Sequence, residues 1–117
     1  MKSYNIRNYV IYKKQVQELI WALPKFKEYK ELSRTQLITQ FLPLSENIAR
    51  KFPTSQVASG VMTIMDLIQE GNAGLTKAVD RIDWELFDQS EDKEKTMKSF
   101  LSKRIRGAIR RAIDINR

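Results

Sequence analysis

Residues 66–83 read Asp-Leu-Ile-Gln-Glu-Gly-Asn-Ala-Gly-Leu-Thr-Lys-Ala-Val-Asp-Arg-Ile-Asp, and this stretch decides the fold. Its apolar residues recur at helical spacing and predict one stripe of an amphipathic helix. That stripe consists of Ile64, Leu67, Ile68, Gly71, Leu75, Ala78, Val79 and Ile82. Gly71 and Gly74 lie inside the pattern, where each should cost about 1 kcal/mol relative to alanine. Two explanations are open: a neighbouring helix packs closely against these glycines, or a binding partner approaches the polar face of this helix. The periodicity favours the first explanation.

The composition narrows the class of protein. The chain has 117 residues, the size of one domain, and is 42% hydrophobic and 30% charged. It contains no cysteine and no histidine, which excludes disulfides, Cys or His metal ligands and Ser-His-Asp catalysis. We expect no metal and no cofactor. No long apolar run or signal-peptide pattern occurs, so we expect no membrane span and a cytoplasmic protein.

The net charge of +7 is distributed unevenly. Residues 1–30 include seven basic and two acidic residues, and residues 61–97 include nine acidic and four basic residues. Residues 98–117 include seven basic residues and a single acidic residue, Asp114. An acidic middle followed by a basic end suggests two different partners. The basic end is a candidate phosphate-binding face, with a merely solvated helix as the alternative.

Apolar spacing predicts a first helix from about Ile6 to Leu23, which Pro24 ends. Its stripe is Tyr9, Ile11, Tyr12, Val16, Leu19, Ile20 and Leu23. Lysines alternate with aromatic residues over 25–30, a pattern that can mark nucleic-acid binding. The spacing favours the simpler interpretation of an amphipathic helix packed on the body of the protein.

Further helices are expected on both sides of the central stretch. Ser33 and Gln36 form a capping-box pattern that opens a helix running to Phe52, and Pro43 should kink or restart it. Residues 53–60 are a loop by composition. Residues 84–95 are a second connection, rich in acids, that we expect to point away from nucleic acid. A basic helix from about Thr96 to the end of the chain closes the sequence.

Three segments resemble the second conserved region of housekeeping-type bacterial sigma factors. Residues 66–75, followed by Lys-Ala-Val-Asp at 77–80, resemble the signature helix that binds core RNA polymerase. Residues 44–52 are similar to the helix that precedes it, although Pro43 departs from the pattern. Residues 100–113 resemble the helix that recognises and melts the minus-ten promoter element, with 104–107 closer to the flagellar and sporulation branches.

The resemblance covers about residues 36–117 and implies an all-α, compact helical bundle. It divides the chain into an N-terminal helical extension, 1–32, and a sigma region 2-like domain, 33–117, with an acidic excursion at about 84–95. The domains that follow in most sigma factors are not present before Arg117. We therefore expect either a fragment or a minimal, free-standing sigma factor that resembles a bacteriophage-encoded one.

The resemblance also implies binding residues. The residues placed against the clamp helices of the largest polymerase subunit are Asp66, Gln69, Glu70, Asn72 and Thr76. The residues placed against promoter DNA, on its non-template strand, are Phe100, Lys103, Arg104, Arg106, Arg110 and Arg111. Thr76 replaces a family methionine. Gly107 and Arg110 replace the family's base-reading Gln and Thr, and Lys103 and Arg104 replace its tandem tryptophans.

Catalysis is not expected. The candidate carboxylates, Asp66, Glu70, Asp80 and Asp83, do not converge along one helix, and no Gly-rich phosphate loop follows a strand. Three functions remain open at this point. The chain could be an initiation factor that opens promoters, a decoy that occupies the clamp helices without melting DNA, or an unrelated basic helical module that binds DNA without polymerase.

Overall fold

Six α-helices and one 3₁₀ turn account for most of residues 3–52 and 62–115, the part of the chain that the computed structural model describes, with side chains from Arg7 onward. The elements are α1 Ser3–Trp21, the 3₁₀ turn Tyr29–Glu31, α2 Arg34–Gln40, α3 Leu42–Arg50, α4 Ile64–Val79, α5 Trp84–Asp88 and α6 Lys93–Ile115. These residues include no strand, which confirms the all-α prediction. The predicted loop over 53–60 lies outside the described residues.

A side-chain cap fixes the start of α2, and a proline lies at the start of α3. The capping box predicted at α2 is present, since Gln36 N–H donates to Ser33 Oγ (3.2 Å) and Ser33 N–H donates to Gln36 Oε1 (2.9 Å). Pro43 restarts the helix rather than kinking it. The chain leaves helical geometry at Phe41, and Pro43 then lies in the first turn of α3, where it removes no helical hydrogen bond.

The core lies where α4 packs against α6, with α3 covering both helices. The side chains fully enclosed there include Leu67, Ile68, Leu75, Leu101, Ile105 and Ile109. A Cβ on Gly71 would lie 2.7 Å from Ser45 Oγ, and one on Gly74 would lie 2.7 Å from Ala108 Cβ. Both glycines are therefore needed for close helix packing. This confirms the first of the two explanations that the periodicity allowed.

Helix α1 packs on α4 and α2, as its spacing predicted, but along a narrower edge than expected. Val16 is buried, whereas Ile11 and Leu19 of the predicted stripe are 47% and 50% exposed. That part of the prediction was wrong. The apolar stripe of α1 is wider than the surface of α4 and α2 that this helix contacts. The residues at the edges of the stripe therefore remain exposed to solvent.

The acidic connection contains a short helix that the sequence did not indicate. Asp83 opens α5 by accepting a hydrogen bond from Leu86 N–H (3.1 Å), and Phe87 is buried. The Phe87 ring lies 6.1 Å from Tyr29 and 5.6 Å, edge on, from Trp84. The acids of this segment are exposed; they are Glu85, Asp88, Glu91, Asp92 and Glu94.

Candidate functional site

The outer side of α4 carries a small polar surface. Gln69 and Glu70 are exposed, together with Ala73 and Lys77 one and two turns further along. These four residues are called the α4 face below. Residues 67, 68, 71, 74, 75, 78 and 79 of the same helix are buried. The helix therefore separates a buried stripe from a solvent-facing one, which leaves Gln69 and Glu70 available to a partner.

The other three predicted polymerase-binding residues already have partners inside the chain. Asp66 closes the N-terminal capping box of α4, since its Oδ2 accepts from Thr63 N–H (2.8 Å) and its N–H donates to Thr63 Oγ1 (3.1 Å). Thr76 Oγ1 donates to the Asn72 carbonyl oxygen (2.9 Å). The structure thus separates the five residues into two exposed ones and three with roles in the fold.

Asn72 joins α4 to the N-terminal helix. Its side-chain nitrogen donates to the Tyr12 hydroxyl of α1 (2.9 Å), while its Oδ1 is buried with no hydrogen-bond partner among the described residues. Burial raises the pKa of Tyr12, which keeps the phenol neutral in this contact. Helix α1 therefore covers one flank of α4, and the surface open to a partner is narrower than the sequence predicted.

A second anchor of α1 was missed by sequence reasoning. Tyr9 donates from its hydroxyl to Glu46 Oε2 (2.7 Å), and Glu46 is buried although it is charged. Lys13 Nζ and Arg50 Nη1 lie 3.7 and 4.0 Å from the same carboxylate. Burial, followed by the hydrogen bond to Glu46, raises the pKa of Tyr9 to about 12. The sequence signal that could have indicated this contact is Glu46 itself, an acid that follows Ser45 on the side of α3 that carries the apolar residues.

The outer side of α6 is strongly basic. Five exposed cations, called the basic face below, lie within nine residues: Lys103, Arg104, Arg106, Arg110 and Arg111. The ion pairs found among the described residues include none of them. At about 100° of rotation per residue, they form two columns, 103–106–110 and 104–111, with Gly107 between them. This density of exposed cations on one side of a helix is suited to polyanion binding.

Phe100 and Arg104 are stacked on each other at the edge of the basic face. The Arg104 guanidinium carbon lies 4.1 Å from the centre of the Phe100 ring. Phe100 is half-buried and packs partly against the core. Phe100 therefore combines a contact with the core and an accessible edge. An incoming base would meet the guanidinium plane before it met the ring.

The two surfaces are mechanically connected through one helix crossing. A Cβ on Gly74 of α4 would lie 3.1 Å from the backbone oxygen of Arg104 in α6. The backbone that carries the Phe100–Arg104 stack is thus in contact with the helix that carries the α4 face. Any shift of one helix along this crossing displaces the other, because close-packed helices cannot slide without clashes.

The helices within residues 3–52 and 62–115 are not long and apolar enough for any of them to cross a bilayer.

Comparison with known proteins gives one match. The family model described as sigma-70 region 2 matches residues 37–117, which span the second half of α2 and all of α3 to α6. Both surfaces described above lie inside the matched range, and helix α1 lies outside it. No curated protein and no solved structure matches the chain.

Proposed function

Because the chain belongs to the sigma-70 region 2 family, we propose that it binds core RNA polymerase through α4 and opens promoter DNA with α6. Membership gives it a sigma-factor-like role in transcription initiation, with core RNA polymerase and promoter DNA as partners. It also removes the alternative of an unrelated basic module. The observation that carries the proposal is the packing of α4 against α6, which leaves a polar face exposed on α4 and a basic face exposed on α6.

The polymerase contact is placed on the α4 face. Gln69 and Glu70 would meet the clamp helices of the largest subunit directly, since both are exposed. Glu70 would pair with a basic residue of the polymerase subunit, and a desolvated charge pair at an interface can contribute several kcal/mol. Asp66, Asn72 and Thr76 would border this contact while keeping the start and the flank of α4 ordered.

The DNA contact is placed on the basic face and the Phe100–Arg104 stack. An unstacked base that finds an aromatic or guanidinium plane gains roughly 1–3 kcal/mol, which offsets part of the cost of melting. The five cations would hold the separated non-template strand by its phosphates. If each neutralises one phosphate, log affinity should fall with log salt at a slope of roughly −0.7 per contact.

A decoy that occupies the clamp helices without melting DNA is the second candidate. The observation in its favour is that Arg104 covers the Phe100 ring. Permanganate reactivity of thymines near a transcription start separates the two functions. An initiation factor makes those thymines reactive only when polymerase and the chain are both present. A decoy leaves them unreactive and lowers the reactivity produced by a resident sigma factor.

The arrangement of the chain follows from the same proposal. Residues 33–117 would form the functional domain and residues 1–32 a helical extension packed on it. The family consists of non-enzymatic transcription-factor domains, and we propose no catalytic role for this chain. Its place of action would be the cytoplasm of a bacterium or of a bacteriophage-infected cell.

A further inference from the structure

Gly107 has no packing reason to be a glycine. It lies in the interior of α6, on the outer side, and a Cβ built there would meet only Arg111 Nη1, at an ordinary 3.4 Å, among the described residues. Gly71 and Gly74 differ, since a Cβ at either would lie 2.7 Å from a neighbouring helix. A glycine inside a helix lowers helix stability relative to alanine. Gly107 therefore weakens α6 without a compensating contact inside the described chain.

The surroundings of Gly107 indicate what could approach its partly exposed backbone. Lys103 and Arg110 lie along one side of it, and Arg104 and Arg111 lie along the other. The result is a gap between two columns of positive charge, with the Arg111 guanidinium at its edge. A ligand that fits has anionic groups on both sides of a bulky, uncharged group that lies close to the helix. The sugar–phosphate backbone of a nucleic acid strand has this alternation.

We propose that one DNA strand crosses α6 at Gly107, with a deoxyribose against the bare helix backbone and its flanking phosphates held by the two columns. The inference rests on the proposed role of α6 as the DNA-binding helix and adds a contact position to it. Gly107 sets how closely the strand approaches. It reads no base, because it has no side chain to do so, so its contribution is independent of sequence.

The test is the variant Gly107→Ala, measured by fluorescence anisotropy with a short labelled single-stranded oligonucleotide of mixed sequence, in the presence of core RNA polymerase. The added methyl clashes with nothing in the described chain and improves helix propensity, so Tm should rise by about 4 °C. Affinity for the oligonucleotide should fall roughly tenfold, because overpacking of a close contact is unfavourable. The salt slope should not change, since no cation is removed.

A second variant separates close approach from helix stiffening. Leucine and alanine have similar helix propensities but different sizes, so Gly107→Leu should bind more weakly than Gly107→Ala. Equal losses in the two variants would mean that stiffness, not approach, matters, and would overturn the inference. Unchanged or tighter binding by Gly107→Ala would overturn it as well. If the wild-type chain with polymerase does not bind the oligonucleotide, the proposed function fails, and the inference fails with it.

Discussion

At the scale of single residues, the glycine at the crossing of α4 and α6 gives the sharpest expectation for stability. Gly74→Ala places a Cβ 2.7 Å from Ala108 Cβ and 3.1 Å from a backbone oxygen. The resulting overpacking should cost about 1–3 kcal/mol of unfolding free energy, more than the gain of about 1 kcal/mol in helix propensity. Urea unfolding followed by circular dichroism measures the difference.

The matched control for this variant is Ala73→Gly, the reverse change at the exposed neighbouring position. It should cost about 1 kcal/mol through propensity alone. A Gly74→Ala protein more stable than the wild type would show that the crossing is looser than the structure indicates.

The raised pKa of Tyr9 predicts how the stability of the fold depends on alkaline pH. Its pKa is raised from 10.0 to about 12 in the folded chain, so the phenol stays protonated there after the unfolded chain has ionised. The stability that this contributes is complete below pH 10 and is lost as the pH rises from 10 toward 12. Tyr9→Phe should therefore lose less stability than the wild type over this range.

Urea midpoints measured at several alkaline pH values in both proteins test this expectation. The comparison cancels the ionisation of lysines, which both proteins share. Parallel losses in the two proteins would contradict the raised pKa of Tyr9.

Sequence reasoning at this scale succeeded where a residue's role depends on its own helix. The stripe of α4 placed Gly71 among buried residues, and the cations that the resemblance indicated on α6 are exposed. The pairs Tyr9–Glu46 and Tyr12–Asn72 could not be predicted, because they depend on how α1 docks on α3 and α4. Side chains 37 and 60 residues apart carry no periodic signal.

At the scale of secondary-structure elements, the capping box at the start of α4 stabilises the helix and includes a candidate docking residue. Thr63→Ala removes the hydroxyl that accepts from Asp66 N–H, one half of the capping box. The loss of a cap should cost about 0.5–2 kcal/mol and fray the first turn, which includes the candidate docking residue Asp66. Hydrogen exchange of the amides of residues 64–68 measures the fraying.

The control for this variant is Thr63→Ser, which keeps the hydroxyl. It should restore most of the protection of the first turn. Unchanged exchange in Thr63→Ala would mean that the cap does not hold the start of α4.

The long amphipathic helices could be predicted from sequence, and the short element could not. Both α4 and α6 have apolar stripes over several turns, and the predicted boundaries differ from the observed ones by only a few residues. Helix α5 has five residues and depends on one buried anchor, Phe87, packed on Tyr29. A stripe cannot be recognised over so few positions, and the abundant acids of this segment favoured a loop.

At the scale of the whole molecule, the uneven charge of the sequence matches two exposed surfaces, one on each helix of a packed pair. The acidic middle of the chain includes Glu70 on the α4 face, and the basic end supplies the basic face of α6. Because α4 and α6 share a crossing at Gly74, the two surfaces belong to one packed pair of helices. The central claim is that the α4 face binds core RNA polymerase.

That claim is tested most directly by gel filtration of the purified chain mixed with core RNA polymerase. The wild type should co-elute with polymerase, and Glu70→Lys should not, because it reverses the charge of an exposed acid on the α4 face. Glu91→Lys, the same change at an exposed position before α6, should co-elute like the wild type. Co-elution of Glu70→Lys, or no co-elution of the wild type, would contradict the assignment of the α4 face to polymerase.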